Sequence, residues 1–304
     1  MAWLNILNFL FSAFFGFGDL PVIMNSGATV VNLRPDSPAA PWPQDSVRHG
    51  AVLVSGDRLF LFLNRADEAQ PIASITKLMT ALVFLDNNPG WDEVYQIKPE
   101  DNIQGGKINL FLGELVRVKD LFYTSLIASD NVATIALVRS TGLSEEQFVA
   151  QMNAKALDMG LKNTNFSDPI GLSADNTSTA REVALLAEAA FKKPEILSAS
   201  ANQDYQFETL NGRKKMIEST DDLLFVDSPA GLEVLGGKTG YTDEAGYCYV
   251  GYMRGPSGKT VISVVLGAKG RNDRFQVSRD IAEWVLSYYD WSNWPALGMG
   301  RKLN

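Results

Sequence analysis

The decapeptide PIASITKLMT, residues 71–80, sets a hydroxyl, Ser74, three positions ahead of an amine, Lys77. On a helix that spacing puts both side chains on one face, close enough to share a proton. A serine in a first helical turn also lies beside backbone N–H groups with no helical partner, and these can hold a developing oxyanion. The chemistry suggested is acyl transfer by a serine nucleophile. Such a nucleophile needs a base, and the chain has one histidine, His49, just ahead of the first predicted strand, where a structural role is expected. Lys77 can serve only if its pKa falls far below the free value of about 10.4, through burial or a neighbouring cation. A second positive charge is therefore expected beside it. Taken alone, S-x-x-K equally describes a helix start and a solvated lysine.

Two later segments complete a constellation. ASDN brings Ser129, Asp130 and Asn131 into a break between two apolar helical runs, where short polar residues also make ordinary turns and caps. GGKTGYT sets Lys238, Thr239 and Gly240 in a strand, where Gly240 has no side chain to obstruct a ligand laid along the backbone. Each segment has a plain structural meaning by itself. Together, in this order on helix, inter-helix turn and strand, they form a set that accident does not readily produce.

The elements that must carry these residues follow from periodicity. AVLVSGDRLFLFL, residues 51–63, reads as a hairpin, and a helix is expected from about Ser74. VKDLFYTSLIAS and NVATIALVRSTG are apolar at helical spacing on either side of Ser129 and Asp130. Ser144 with Gln147 announces a helix that Gly160 should stop, and Thr179 with Glu182 repeats the capping pattern before VALLAEAAF. Asn211-Gly212 marks a hairpin turn. LGGKTGYT, GYCYVGYMR and KTVISVVLGA are strand-like, and a last helix is expected over RFQVSRDIAEWVLSYY. Strands, helices, strands and a helix, in that order, predict an α+β fold: an antiparallel sheet completed by both ends of the chain and flanked by helices, with a helical subdomain inserted in its middle.

The three motifs are those shared by penicillin-binding proteins and class A β-lactamases. Over roughly residues 50–290 the chain closely resembles the D-alanyl-D-alanine carboxypeptidase family, and the likeness extends to MNAKALDMGLKNTNFSDPIGL and STAREVALLAEAA. The resemblance implies the β-lactamase/transpeptidase-like version of the fold and a serine-type D-Ala-D-Ala carboxypeptidase acting on peptidoglycan stem peptides. It implies Ser74 as the acylated nucleophile and Lys77 as its general base, with Ser129 and Asn131 relaying protons and holding the substrate amide. Lys238 and Thr239 would bind the terminal carboxylate, Lys238 also lending positive field to Lys77. The backbone N–H groups of Ser74 and Tyr241, beside Gly240, would form the oxyanion hole. An arginine near the start of the last helix would contact the carboxylate; Arg274 aligns best with it and Arg271 second. β-Lactams are expected as inhibitors, and no metal or cofactor is implied.

Other readings have their own marks. A β-lactamase of class A adds a glutamate in E-x-x-L-N, whereas this chain offers only Glu208 to Asn211, ETLN, one residue short and in a predicted hairpin. A D,D-endopeptidase cutting cross-bridges carries the same motifs. A non-catalytic wall-binding protein would not need all of them.

The bounds agree with an enzyme acting on the cell wall. With 304 residues, 46% of them hydrophobic, the chain can bury a substantial core. A net charge of −8 repels nucleic acid and anionic membranes. Cys248 and His49 are too few ligands for a structural zinc site, and Cys248 in a strand pattern reads as a small core residue. Residues 1–18 are apolar with no Lys or Arg, which suggests an export signal or an N-terminal membrane anchor and an extracytoplasmic address. Residues 19–48, with Pro35, Pro38, Pro41 and Pro43, read as a linker, 49–290 as the catalytic domain and 291–304 as a tail whose Trp291 and Trp294 pack on it.

Overall fold

In chain order the elements are β1 (His49–Val54), β2 (Leu59–Asn64), β3 (Gln70–Pro71), a 3-10 turn (Ala73–Thr76), α1 (Lys77–Asp86), β4 (Val94–Gln96), β5 (Leu115–Arg117), α2 (Val118–Ile127), α3 (Asn131–Ser140), α4 (Glu145–Asp158), β6 (Thr177–Ser178), α5 (Ala180–Phe191), α6 (Pro194–Ser200), β7 (Asp204–Glu208), β8 (Lys214–Glu218), β9 (Glu233–Thr242), β10 (Gly246–Arg254), β11 (Thr260–Ala268) and α7 (Asp273–Tyr288). They come from a computed structural model, which describes residues 33–291 apart from positions 44, 104 and 107.

Five strands form one antiparallel sheet in the order β2-β1-β11-β10-β9. Its centre is buried on both faces, and this explains why β11 is almost continuously apolar instead of alternating. The period of two still divides the residues between two cores. Ala51, Leu53, Ile262 and Val264 join the helical region, with Ala184 and Leu186 of α5 and Leu78 of α1. Val52, Val54, Val261 and Val265 face Ile281 and Val285 of α7. Each fully buried Val, Leu or Ile contributes about 1.5–3 kcal/mol. The buried polar residue of β11, Ser263, donates to the Ser278 carbonyl at 2.8 Å and accepts from the Ser278 hydroxyl at 2.9 Å, which ties the sheet to α7. Cys248 is fully buried in β10, and burial pushes its thiol up to about 11.

The local signals behave as their chemistry requires. Ser144 and Gln147 form a reciprocal capping box at α4. Thr179 accepts from the Glu182 N–H at 3.1 Å, but the Glu182 carboxylate turns away to Asn163 and Thr164, so only half of the second expected box exists. Gly160, at φ +79°, ends α4, and Gly212, at φ +81°, turns the β7–β8 hairpin. The pairs β3–β6 and β4–β5 and the seven-residue α6 are too short to print a period on the sequence.

The described part of the predicted linker lies along α7. The Trp284 indole donates to the Pro38 carbonyl at 3.0 Å, and Trp42 packs on Phe62 with ring centroids 5.3 Å apart. Trp291 packs on the same core and donates to the Leu286 carbonyl, while Trp294 and residues 1–18 fall outside the described residues.

Candidate active site

Ser74 sits one step earlier in the fold than a helix start. It lies in the 3-10 turn Ala73–Thr76, and α1 begins at Lys77. In 3-10 geometry residues i and i+3 eclipse, so the serine–lysine spacing aligns the two side chains more directly than an α-helix would. The turn is forced: Ala73 has φ +47°, a left-handed conformation that costs an L-residue roughly 1–2 kcal/mol. Two glycines let other segments press on it. A Cβ on Gly171 would lie 2.1 Å from the Ala73 carbonyl oxygen, and one on Gly240 would lie 2.9 Å from that of Ile72 and 3.1 Å from the Ser74 nitrogen. Gly240 is therefore required by the turn beneath it, a reason that the sequence, read for ligand access, did not reveal.

The Lys77 amine is fully buried with three oxygens around it: Ser74 Oγ at 2.9 Å, Asn131 Oδ1 at 2.9 Å and the Ile170 carbonyl at 2.7 Å. Two of these can only accept. A neutral amine with two N–H bonds satisfies both and directs its lone pair at the Ser74 hydroxyl. Loss of solvent pushes the Lys77 pKa down to about 7, against the opposing pull of Asp168 and Asp130. Desolvation is the first cause at Lys77, and the expected repulsion between Lys77 and Lys238 stands beside it: Lys238 is itself lowered by burial first and then by Lys77 and Arg274.

The second wall of the cleft comes from the break between α2 and α3. Ser129 takes φ +57°, and its Oγ accepts from Lys238 Nζ at 2.8 Å. Asp130 caps α3 through the Ala133 N–H at 2.8 Å and accepts from the backbone and side chain of Asn109 at 2.8 and 2.9 Å. Asn131 is thereby fixed between Lys77 and the Gly105 carbonyl, to which it donates at 3.0 Å.

β9, an edge of the sheet, forms the third wall. Lys238 and Thr239 are buried, and Lys238 also donates to the Thr239 carbonyl at 3.0 Å. Tyr241 is exposed, packs on the tilted Tyr247 ring with centroids 4.3 Å apart and donates to Asp243 at 2.7 Å. Arg274, at the start of α7, is buried and donates to the Gly240 carbonyl at 3.1 Å, with its guanidinium over the Phe275 and Tyr247 rings and its Nε without a partner among the described residues. Arg271 instead pairs with Asp222 near the surface.

Several participants carried no side-chain signal. The Ile170 carbonyl is held by a loop that Asp168 organises, accepting from the N–H groups of Ile170 and Ser173, each at 2.7 Å, and from Asn176 at 2.8 Å. Asp168-Pro169 is a turn signal, though nothing in it points toward Lys77. Behind β9 the buried Asp221 accepts from the Tyr249 hydroxyl at 2.9 Å and from the Leu223 N–H at 3.0 Å. Glu208 ends β7 opposite Lys214, in the hairpin expected for it. The His49 ring donates from Nδ1 to the Arg65 carbonyl at 2.9 Å, a structural bond, and burial lowers its pKa.

Comparison with known proteins falls on the same features. The chain is 31% identical over 265 residues to a D-alanyl-D-alanine endopeptidase of Pseudomonas aeruginosa, covering 86% of this chain and 84% of that one. It is 30% identical over 248 residues to the D-alanyl-D-alanine carboxypeptidase DacF of Bacillus subtilis, covering 79% of this chain and 62% of the relative. The crystal structure of a Streptomyces DD-transpeptidase is similar with a TM-score of 0.73 at 25% identity, covering 83% of this chain and 99% of that one. The peptidase S11 family model, described as D-alanyl-D-alanine carboxypeptidase, matches residues 50–270, from the second residue of β1 to just past β11. Because that match spans all three walls of the cleft, the chain belongs to the D-alanyl-D-alanine carboxypeptidase family of serine peptidases.

Proposed function

We propose that the protein removes the terminal D-alanine from peptidoglycan stem peptides through an acyl-enzyme on Ser74, and that β-lactams acylate the same serine. The observation that carries this reading is the Lys77 amine, buried, with two obligate acceptors and its remaining contact on Ser74 Oγ. In the forward step the neutral amine takes the Ser74 proton as Oγ bonds to the carbonyl carbon between the two D-alanines. The C–N bond then breaks, and the departing amine receives a proton through the Lys77–Ser129 side of the cleft. Backbone N–H groups of Ser74 and Tyr241 bear the oxyanion. Lys238, Thr239 and Arg274 receive the substrate's carboxylate, whose charge favours the Lys238 ammonium that burial alone disfavours. Water, activated by the same base, releases the acyl group and restores the hydroxyl. A wall substrate requires an extracytoplasmic address, for which residues 1–18 would serve as signal or anchor.

A second reading, D,D-endopeptidase action on cross-bridges, uses the same steps with a longer leaving amine. It is favoured by the match to the P. aeruginosa endopeptidase over most of both chains. Mass analysis of products from a pentapeptide stem and from a cross-linked dimer separates the two readings. For the shared chemistry, Ser74→Ala should abolish labelling by fluorescent penicillin and cut turnover by roughly a thousandfold or more, with the melting temperature retained. Undiminished labelling of that variant would remove Ser74 from the reaction. With Glu208 in the hairpin and no class A glutamate motif, β-lactams should form long-lived adducts; rapid hydrolysis of a chromogenic cephalosporin would contradict this.

A further inference from the structure

Thr220 has no place in the motifs, yet it is the hydrogen-bond partner of the Thr239 hydroxyl among the described residues, with the two Oγ1 atoms 2.6 Å apart. It sits in the turn after β8, half-buried, and its own N–H donates to the Ile127 carbonyl at 3.1 Å, at the end of α2 and two residues before Ser129. The residue therefore joins the helical wall of the cleft to the sheet wall directly behind Thr239.

Each hydroxyl has one proton to donate, and the 2.6 Å contact is a hydrogen bond in either direction. If Thr239 donates, Thr220 can pass its own proton to the Ile127 carbonyl 3.4 Å away; if Thr220 donates, the Thr239 proton is free to point into the cleft. A ligand that only accepts decides between the two, because Thr239 must then donate to it and take its other hydrogen bond from Thr220. A carboxylate, which only accepts, is its match; a carboxamide or ester offers a weaker acceptor with no charge.

We infer that Thr220 is a positioning residue that fixes the Thr239 hydroxyl as a donor and so makes the site select an anionic carboxylate beyond the bond to be broken. The inference rests on the acyl-transfer reading above and holds for both versions of it, because a terminal D-alanine and a cross-bridge D-centre each carry that carboxylate.

The test measures second-order acylation rates of the full chain with a penicillin and with its methyl ester, which differ in the anion alone. In Thr220→Val the acid-to-ester rate ratio should fall roughly three- to tenfold, from a lost rotor anchor and lost polarisation of the charged hydrogen bond. The ester rate should stay within about twofold of the parent, and Thr220→Ser should restore the ratio. An unchanged ratio in Thr220→Val, or equal slowing of acid and ester, would overturn the inference while leaving the function standing. A parent protein acylated by neither compound would overturn both.

Discussion

At the residue scale, the unusual group is an amine without water. Lys77 owes its lowered pKa to burial first, and the carboxylates of Asp168 and Asp130 limit the fall. Lys77 holds a proton below about 7 and is free above it, and only the free form can accept from Ser74. The acylation rate should therefore climb as pH rises through about 7 and reach half its plateau there, measured with fluorescent penicillin. A rate flat from about pH 5 to about pH 9 would assign the base elsewhere. Lys77→Arg, permanently charged, should lower that plateau by roughly 10²–10⁴. The types and spacing of Ser74, Lys77, Ser129, Asn131, Lys238 and Thr239 were legible because their side chains define the chemistry. The Ile170 carbonyl was not, since every residue has one and only the loop conformation aims it.

At the element scale, the site depends on segments that approach a strained turn. Gly171, at φ +84°, lies where a methyl would meet the Ala73 carbonyl at 2.1 Å. Gly171→Ala should cost at least about 2 kcal/mol in urea unfolding and slow acylation, because the loop carrying Ile170 must retreat. Asp221, behind β9, gives a pH signature of a different kind. Burial raises its carboxyl to about 6, against an ordinary value of 3.8, so the fold prefers the protonated form. That contribution, about 3 kcal/mol, is present below 3.8 and is lost as pH rises through about 6. Asp221→Asn keeps a neutral side chain there and should raise the melting temperature at neutral pH more than at pH 4; an equal shift at both would deny the titration. Helix caps and the Asn211-Gly212 turn were readable because each is a local hydrogen-bond device. The half-formed box at Thr179 was overread, because Glu182 found better donors in Asn163 and Thr164, a choice made by tertiary packing.

At the scale of the molecule, the sheet closes only when the last third of the chain returns to the first strands: β1 pairs with β11 along its whole length, and α7 covers the far face. The order of strands, helices, strands and helix predicted this, since an antiparallel sheet needs its central partners from somewhere and the helical middle could not supply them. The pairing of Leu33 with Tyr289 and the packing of Ala40, Trp42 and Val47 on the core under α7 were not readable, because a proline-containing stretch without period does not announce what it lies against. One thiol sits deep in this closed sheet. Cys248 has no solvent access, so a water-soluble disulfide reagent can reach it only when β10 separates from its neighbours. The native protein thus contains its own gauge of opening: the rate of thiol modification should follow loss of the central strands, and covalent occupation of the cleft beside β9 should slow it.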